Sequence, residues 1–206
     1  MLTNIFAFGA SITYGAWDIE KGGWVQRLRS YLEENYKLQK YFVYNLGVSG
    51  DTCVMILDRF ETDIKFRIEK GETNIVIFSV GINDSAFLQK ENKNMTDVDE
   101  FKQNLEKLFQ MASKYASKIL FVGLTSVDET KVSPIPWNTN IFYSNENISK
   151  YNDIIKASCQ KNGVFFIDLY DKIDKNFLVD GLHPNAKGHE QMLEIIKDFL
   201  IKNKII

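Results

Sequence analysis

The sequence has little cysteine, histidine or proline, and the first two scarcities each exclude a kind of protein. Its two cysteines, Cys53 and Cys159, are too few for a disulfide framework and lie far apart, so we expect free thiols in a reducing compartment. Its two histidines fall within one short segment, and no cysteine cluster accompanies them. Because this spacing does not suit a set of metal ligands, we predict no metal site.

A long apolar run and an excess of charge of one sign are also missing. No stretch approaches the roughly 20 apolar residues that a membrane-spanning helix requires. The N-terminus lacks the basic segment and apolar run of a secretion signal, because its first charged residue is Asp18. The formal net charge of −2 favours neither nucleic acid nor an anionic membrane as a partner. We therefore expect a cytoplasmic protein with no membrane span and no nucleic-acid partner.

The sequence does contain enough apolar material for a large core in one domain over residues 1–206. Apolar residues make up 45% of the chain, with fifteen Phe and nine Tyr, which argues against disorder. Five runs rich in β-branched and aromatic residues have the length of strands that are buried on both faces. These runs are 4–8, 41–46, 74–80, 118–124 and 164–169.

Apolar residues spaced three or four apart lie between these runs and predict helices with one apolar face. The sets are Trp24 or Val25 with Leu28 and Leu32; Ile56, Leu57, Phe60 and Ile64; Val98, Phe101, Leu105, Leu108, Ala112 and Tyr115; and Met192, Ile195, Ile196, Phe199 and Leu200. Strands that alternate with helices indicate an α/β fold with a parallel sheet. We predict a three-layer α/β/α sandwich whose five-stranded parallel sheet has the flavodoxin-like order 2-1-3-4-5. The oligomeric state stays open, because helices covering both sheet faces look alike in monomers and dimers.

Residues 125–144 form the longest stretch with neither a helical nor a strand pattern. This stretch holds two of the three prolines together with Trp137, Phe142 and Tyr143. Two interpretations remain for it: a binding loop or lid, or a surface excursion whose aromatic residues fold back on the body. Two interpretations also remain for Trp17 and Phe87: they border a site, or they belong to the core.

Polar and small residues follow the predicted strands, at the edge where ligands collect in open parallel sheets. The segments are 9–11, 47–52, 81–84 and 123–126, and after the fifth strand the sequence "VDGLHPNAKGH" at 179–189. Because parallel strands end at one edge, we expect these hydroxyl, amide, carboxylate and imidazole groups to meet there.

Ser11 is the candidate nucleophile, and a serine hydroxyl needs a base that is oriented by a carboxylate. His183 follows Asp180 by three residues, and Pro184 disfavours helical geometry at the histidine, so we expect a turn that folds the carboxylate onto Nδ1. His189 is the alternative base, although it has no comparable carboxylate partner.

An acyl-transfer site also needs hydrogen-bond donors for the oxyanion. The N–H groups of Ser11 and Gly50 are candidates, since glycine allows a close approach of the chain, and the Asn83 side-chain amide is a third. The alternative for Asn83 and Asp84 is that they cap the segment that follows them.

Four sequence blocks in order carry a family resemblance: "FGASIT" around Ser11, "NLGVSGDT" around Gly50, "GIND" around Asn83, and "DGLHPN" with Asp180 and His183. The chain resembles the SGNH hydrolases, also called the GDSL esterase/lipase family, over nearly its whole length. The resemblance implies the three-layer fold already predicted from the strand and helix pattern. It also implies hydrolysis of carboxylic esters, with neither a metal nor an organic cofactor.

The resemblance assigns each role to a residue of this sequence. It implies Ser11 as nucleophile, His183 as base and Asp180 as supporting acid. It implies the Ser11 and Gly50 N–H groups and the Asn83 side chain as oxyanion donors. One position departs: the family's first block usually has aspartate before the serine, and here the residue is Ala10, which raises the question of what holds the nucleophile turn.

We therefore predict a serine esterase that acts on small-molecule esters with short acyl or acetyl groups, acetylated carbohydrate among them. A catalytically silent ligand-binding module on the same scaffold is one alternative, of which Ala10 would be the first sign. A flavodoxin-like nucleotide binder is the other; it explains the glycines at 9–15 but gives Asp180, His183 and Asn83 no function.

Overall fold

Eight strands and seven α-helices make up the computed structural model over the residues that it describes, 2–36 and 40–206. The strands are β1 (Thr3–Gly9), β2 (Tyr41–Gly47), β3 (Thr73–Ser79), β4 (Phe87–Leu88), β5 (Lys93–Asn94), β6 (Lys118–Val122), β7 (Ile141–Phe142) and β8 (Phe165–Ile167). The helices are α1 (Ser11–Tyr14), α2 (Gly23–Asn35), α3 (Cys53–Lys65), α4 (Val98–Ala112), α5 (Glu129–Val132), α6 (Asn145–Asn162) and α7 (Ala186–Lys202). A 3₁₀ turn at Lys175–Phe177 completes the regular structure.

Five parallel strands form the central sheet in the order β2-β1-β3-β6-β8, which confirms the predicted order 2-1-3-4-5. β1 lies inside the sheet and pairs residue for residue with β2 on one side and β3 on the other. Gly9, Gly47 and Ser79 are therefore in register at the carboxyl ends of the three strands. This alignment brings the segments after the three strands to one edge of the sheet.

Alternate residues of the central strands face two separate cores, which is why these strands read as continuous apolar runs. From β1, Ile5 and Ala7 pack with buried residues of α2 and α7. Phe6 and Phe8 point the other way, to a core built with α3, α4 and α6. The α/β/α sandwich that the sequence predicts is confirmed.

The sequence pattern missed one long helix and several short elements. The long helix is α6, whose buried residues Ile148, Tyr151 and Ile155 have helical spacing but lie in a mostly polar segment. Residues 125–144 contain α5 and β7, and β7 joins β4 and β5 in a second, antiparallel sheet of order β5-β4-β7. Phe87 and Phe142 pair across this small sheet and are half-buried.

The fold contains no candidate for a membrane span in the described ranges. Across 2–36 and 40–206, no helix is both long enough and apolar enough to cross a bilayer.

Candidate active site

The turn that presents Ser11 depends on close backbone contacts at the end of β1. A Cβ atom on Gly9 would lie 2.1 Å from Thr13 Oγ1 and 2.4 Å from the Ser79 carbonyl oxygen, so only glycine fits. Ser11 is the first residue of the one-turn helix α1, which Gly15 ends with a left-handed φ of 99°. The serine therefore stands at the carboxyl edge of the sheet with its side chain directed into an open pocket.

Ser11, His183 and Asp180 form a continuous hydrogen-bonded chain. Ser11 Oγ lies 2.8 Å from His183 Nε2, and His183 Nδ1 lies 2.7 Å from Asp180 Oδ2. The polypeptide segments that meet here are separated by more than 160 residues. This order of contacts fits the tautomer in which Nδ1 carries the proton and Nε2 accepts the serine proton.

The Asp180 carboxylate is surrounded by N–H donors. Its Oδ1 accepts the backbone N–H groups of Leu182 (3.0 Å) and His183 (2.9 Å), and its Oδ2 also accepts the indole N–H of Trp17 at 3.1 Å. Burial pushes the pKa of Asp180 upward, but hydrogen bonds from the His183 side chain and backbone outweigh it and bring the pKa down to about 2. The group is therefore a carboxylate at neutral pH.

His189, the alternative base, is engaged elsewhere. Its Nε2 lies 3.1 Å from the Ala16 carbonyl oxygen, and its Nδ1 accepts the Trp24 backbone N–H at 3.3 Å. The ring is fully buried, and burial lowers its pKa. Because both ring nitrogens bind backbone groups, His189 is a structural residue.

Gly50 and Asn83 line the same pocket as Ser11. Gly50 has φ +90°, a conformation that favours glycine. The Asn83 amide is held from both ends: its Nδ2 donates to the Asp51 carbonyl at 2.9 Å, and its Oδ1 accepts the Tyr143 hydroxyl at 2.9 Å. The structure thus brings together all five residues that the sequence singles out, namely Ser11, Gly50, Asn83, Asp180 and His183.

Asp84 does not cap the segment after it. Both of its carboxylate oxygens accept the N–H of Cys53, the first residue of α3, at 3.2 Å, and Oδ1 also accepts the Thr96 hydroxyl at 2.8 Å. Asp84 is fully buried, and burial raises its pKa to about 6 against these hydrogen bonds. The residue therefore ties the Asn83 turn to the start of α3.

Arg59 on α3 is a supporting residue that sequence reasoning missed. Its guanidinium pairs with Asp51 and Asp63, and it donates to the carbonyl oxygens of Leu46 (2.8 Å) and Gly9 (3.4 Å). One side chain thus connects the ends of β1 and β2 with the Asp51 turn. No local pattern in the sequence signals this role, because its partners come from three different segments.

The stretch 125–144 forms a wall of the pocket, and its Tyr143 also folds back into the buried core, so each of the two interpretations holds in part. Ile135, Trp137, Ile141 and Tyr143 all line the pocket, whose volume is about 440 Å³. Trp137 is 58% exposed, and its ring stacks on that of His183 with centroids 6.3 Å apart. Trp17, 53% exposed, lines the pocket as well.

Comparison with protein families gives one match over most of the chain. The model of the GDSL-like lipase/acylhydrolase family matches residues 7–191. A multidomain esterase of Ruminococcus flavefaciens is 27% identical over an alignment of 235 residues, which covers 96% of this chain and 29% of that protein. A GDSL esterase/lipase of Arabidopsis thaliana is 24% identical over 143 residues, covering 62% of this chain and 56% of that protein. The chain therefore spans 29% and 56% of the lengths of these relatives.

Solved structures share the fold at low sequence identity. An α/β hydrolase enzyme from the metagenome of Lake Arreo, Spain, superposes with a TM-score of 0.72 at 19% identity and covers 96% of this chain and 93% of its own. An acetylxylan esterase from Geobacillus stearothermophilus gives a TM-score of 0.72 at 19% identity, with 96% and 92% covered. These similarities bear on the fold alone.

Proposed function

Because this chain belongs to the GDSL-like lipase/acylhydrolase family, as its four sequence blocks predict, we propose that it is a serine esterase that hydrolyses carboxylic esters. The observation that carries the proposal is the hydrogen-bonded chain from Ser11 Oγ through His183 to Asp180. A hydroxyl 2.8 Å from an imidazole nitrogen, with the other nitrogen 2.7 Å from a carboxylate, is the arrangement that activates a serine for acyl transfer.

The reaction proceeds in two steps. Ser11 Oγ attacks the ester carbonyl carbon while its proton moves to His183 Nε2, and Asp180 stabilises the imidazolium through Nδ1–H. The tetrahedral intermediate collapses when His183 gives that proton to the oxygen of the leaving alcohol, which leaves the acyl group on Ser11. Water then attacks the acyl-enzyme with His183 as base, and the acid is released as Ser11 regains its proton.

The oxyanion of each tetrahedral intermediate accepts hydrogen bonds from the Ser11 and Gly50 N–H groups and from the Asn83 amide. Asn83 Nδ2 carries two hydrogens, and the Asp51 carbonyl takes one of them. The Tyr143 hydroxyl donates to Oδ1, and an amide flipped by 180° would instead set Oδ1 against the Asp51 carbonyl oxygen, so the orientation of the amide is fixed. The second N–H is then free to stabilise the developing negative charge.

The pocket favours a short acyl group and a ring-shaped alcohol, and we assign acetylated carbohydrate as the substrate class. Its volume of about 440 Å³ lies in the range of small-molecule sites. Trp17 and Trp137 offer exposed ring faces beside the base that protonates the leaving alcohol. The acetylxylan esterase among the structures of similar fold is consistent with this class.

The test is a panel of p-nitrophenyl and sugar esters that differ in acyl length, assayed with wild type and Ser11→Ala. We expect Ser11→Ala to lose almost all turnover and to keep the thermal unfolding transition of wild type. Ser30→Ala is the matched control, because Ser30 is an exposed serine on α2. Near wild-type activity of Ser11→Ala would refute the assignment.

Labelling with a fluorophosphonate separates the esterase from a silent binding module. An activated serine forms a covalent phosphonate adduct, and we expect mass spectrometry to find it on the peptide that contains Ser11. A folded protein that takes up no label would favour the silent module.

A further inference from the structure

Trp17 makes a contact with the proposed catalytic acid that the mechanism above does not use. Its indole N–H donates to Asp180 Oδ2 at 3.1 Å, the same oxygen that binds His183 Nδ1 at 2.7 Å. The other two donors to this carboxylate, the backbone N–H groups of Leu182 and His183, belong to the turn that follows Asp180. Trp17 reaches the carboxylate from 163 residues away in the sequence.

Trp17 holds this contact in a strained conformation. Its φ is +67°, in the left-handed region that a bulky side chain rarely adopts. The side chain is 53% exposed, so burial of the ring does not explain why the chain tolerates the strain. Strained residues that persist in a fold cluster at functional sites, where the surrounding structure enforces them.

The residue before Trp17 is fixed by a buried histidine. The carbonyl oxygen of Ala16 lies 3.1 Å from His189 Nε2, and the other ring nitrogen of His189 accepts the Trp24 N–H at 3.3 Å. The backbone N–H of Ala16 donates to the Ser11 carbonyl at 3.0 Å. Ala16 is thereby attached to both α7 and the nucleophile turn.

The residue after Trp17 is fixed by a buried ion pair. Asp18 Oδ2 accepts from Arg27 Nε at 2.7 Å and from the Gly23 N–H at 2.9 Å, and Oδ1 accepts the N–H groups of Glu20 and Lys21. Both Asp18 and Arg27 are buried. With its two neighbours held in this way, Trp17 cannot relax its backbone without breaking buried polar contacts.

We propose that Trp17 is a positioning residue for Asp180: its indole N–H fixes the rotation of the carboxylate so that Oδ2 faces His183 Nδ1. The inference rests on the proposed function, since it gives Trp17 a role only if Asp180 supports His183 as a base. It also links His189, Asp18 and Arg27 to the site: they hold the residues on either side of Trp17, although in the described part of the chain none of them hydrogen-bonds to Ser11 or His183.

The test is a double-mutant cycle with Trp17→Phe and Asp180→Ala on p-nitrophenyl acetate. Trp17→Phe keeps an aromatic ring in the pocket and removes the N–H, so we expect kcat to fall about threefold to tenfold with KM within about twofold of wild type. In the Asp180→Ala background the acceptor is gone, so Trp17→Phe should cause no further fall. Activities are read above the background of Ser11→Ala.

A second measurement does not depend on the catalytic activity of the Trp17 variant. The chain has three tryptophans, so ¹⁵N-labelled protein gives three indole N–H signals, and the one lost in Trp17→Phe belongs to Trp17. We expect that signal to shift in Asp180→Ala, because its acceptor has been removed. Phe66→Tyr, an equally mild change at an exposed aromatic residue that follows α3, serves as the control and should leave kcat unchanged.

Three results would overturn the proposal. They are an equal fall in kcat from Trp17→Phe in both backgrounds, a rise in KM with kcat unchanged, and a Trp17 indole N–H signal that does not shift in Asp180→Ala. The first two would make Trp17 a general structural residue or a substrate contact. Each of them leaves Ser11→Ala inactive, whereas failure of the proposed function would show as activity in Ser11→Ala.

Discussion

Asp84→Asn tests whether the turn that carries Asn83 contains a buried carboxyl group whose pKa is raised by burial. Asp84 is fully buried, and its hydrogen bonds come from Cys53 N–H and the Thr96 hydroxyl. Burial raises its pKa from the usual 3.8 to about 6. An asparagine of the same shape can accept from Cys53 N–H and donate to Thr96 Oγ1, so the contacts survive while the titration disappears.

The sign of the effect follows from proton binding. Between pH 3.8 and about 6 the folded protein holds a proton on Asp84 that the unfolded chain has released, so the free energy of unfolding falls as pH rises. The difference between the two pKa values corresponds to about 3 kcal/mol at about 1.36 kcal/mol per pH unit, of which roughly 2 kcal/mol falls between pH 4 and pH 7. The free energy of unfolding of Asp84→Asn, measured relative to that of wild type, should therefore rise by that amount from pH 4 to pH 7.

Other titrating groups, among them His189 and Asp180, also change stability in or near the same range and are removed by taking the difference between proteins. Burial lowers the pKa of His189 from 6.5, so the unfolded chain binds more protons there and stability rises with pH, opposing Asp84. Asp180, with its pKa lowered from 3.8 to about 2, loses its contribution only as pH falls below that window. Neither is altered by Asp84→Asn.

The assay is reversible urea unfolding of both proteins, followed by tryptophan fluorescence at several pH values from about 4 to 7. Asp99→Asn is the matched control, because it makes the same chemical change at a side chain that is 81% exposed. A wild-type minus Asp84→Asn difference that stays constant within about 0.5 kcal/mol would refute the reasoning.

Two further predictions concern the amide beside Asp84. Asn83→Ala should lower kcat by about 10²–10³ because it removes a donor to the oxyanion, and a fall of less than about threefold would make Asn83 a structural residue only. Tyr143→Phe leaves the buried Asn83 Oδ1 unpaired, so kcat should fall about threefold to thirtyfold with little change in KM. Steady-state kinetics in the Asn83→Ala background checks the second: if Tyr143→Phe acts through the amide, it causes no additional loss there.

The sheet was predictable because each central strand is covered on both faces. β1 and β3 are buried almost throughout, so each appears in the sequence as a continuous apolar run. Such a run can be recognised as a strand without knowing its partner strands or its register. α6 shows the limit of the same reasoning. Its buried Ile148, Tyr151, Ile155 and Cys159 keep the helical spacing of three and four residues, but most of the segment is polar and Asn152 lies among the buried residues, so the pattern is weak in the sequence.

The candidate site divides in a similar way. Ser11 and the Asp180–His183 pair were found because few side chains supply this chemistry and the chain has only two histidines. The partners that orient these groups were out of reach of sequence reasoning. Tyr143 hydrogen-bonds to Asn83 at a sequence separation of 60 residues, and Trp17 to Asp180 at a separation of 163. The presence of a tyrosine or a tryptophan in the sequence does not predict such a contact.

Ala10 poses the question of what holds the nucleophile turn without the carboxylate that the family usually has there, and the backbone answers it. The Gly9 carbonyl accepts the Val48 N–H at 3.0 Å and the Arg59 guanidinium at 3.4 Å, and the Ala10 carbonyl accepts the Tyr14 N–H at 2.9 Å. Val48 and Arg59 also belong to the structure that holds the Gly50 turn, since Asp51 N–H donates to Val48 and Arg59 pairs with the Asp51 carboxylate. The serine and the proposed oxyanion donors are thus positioned by one set of contacts, in which the side chain at position 10 has no part.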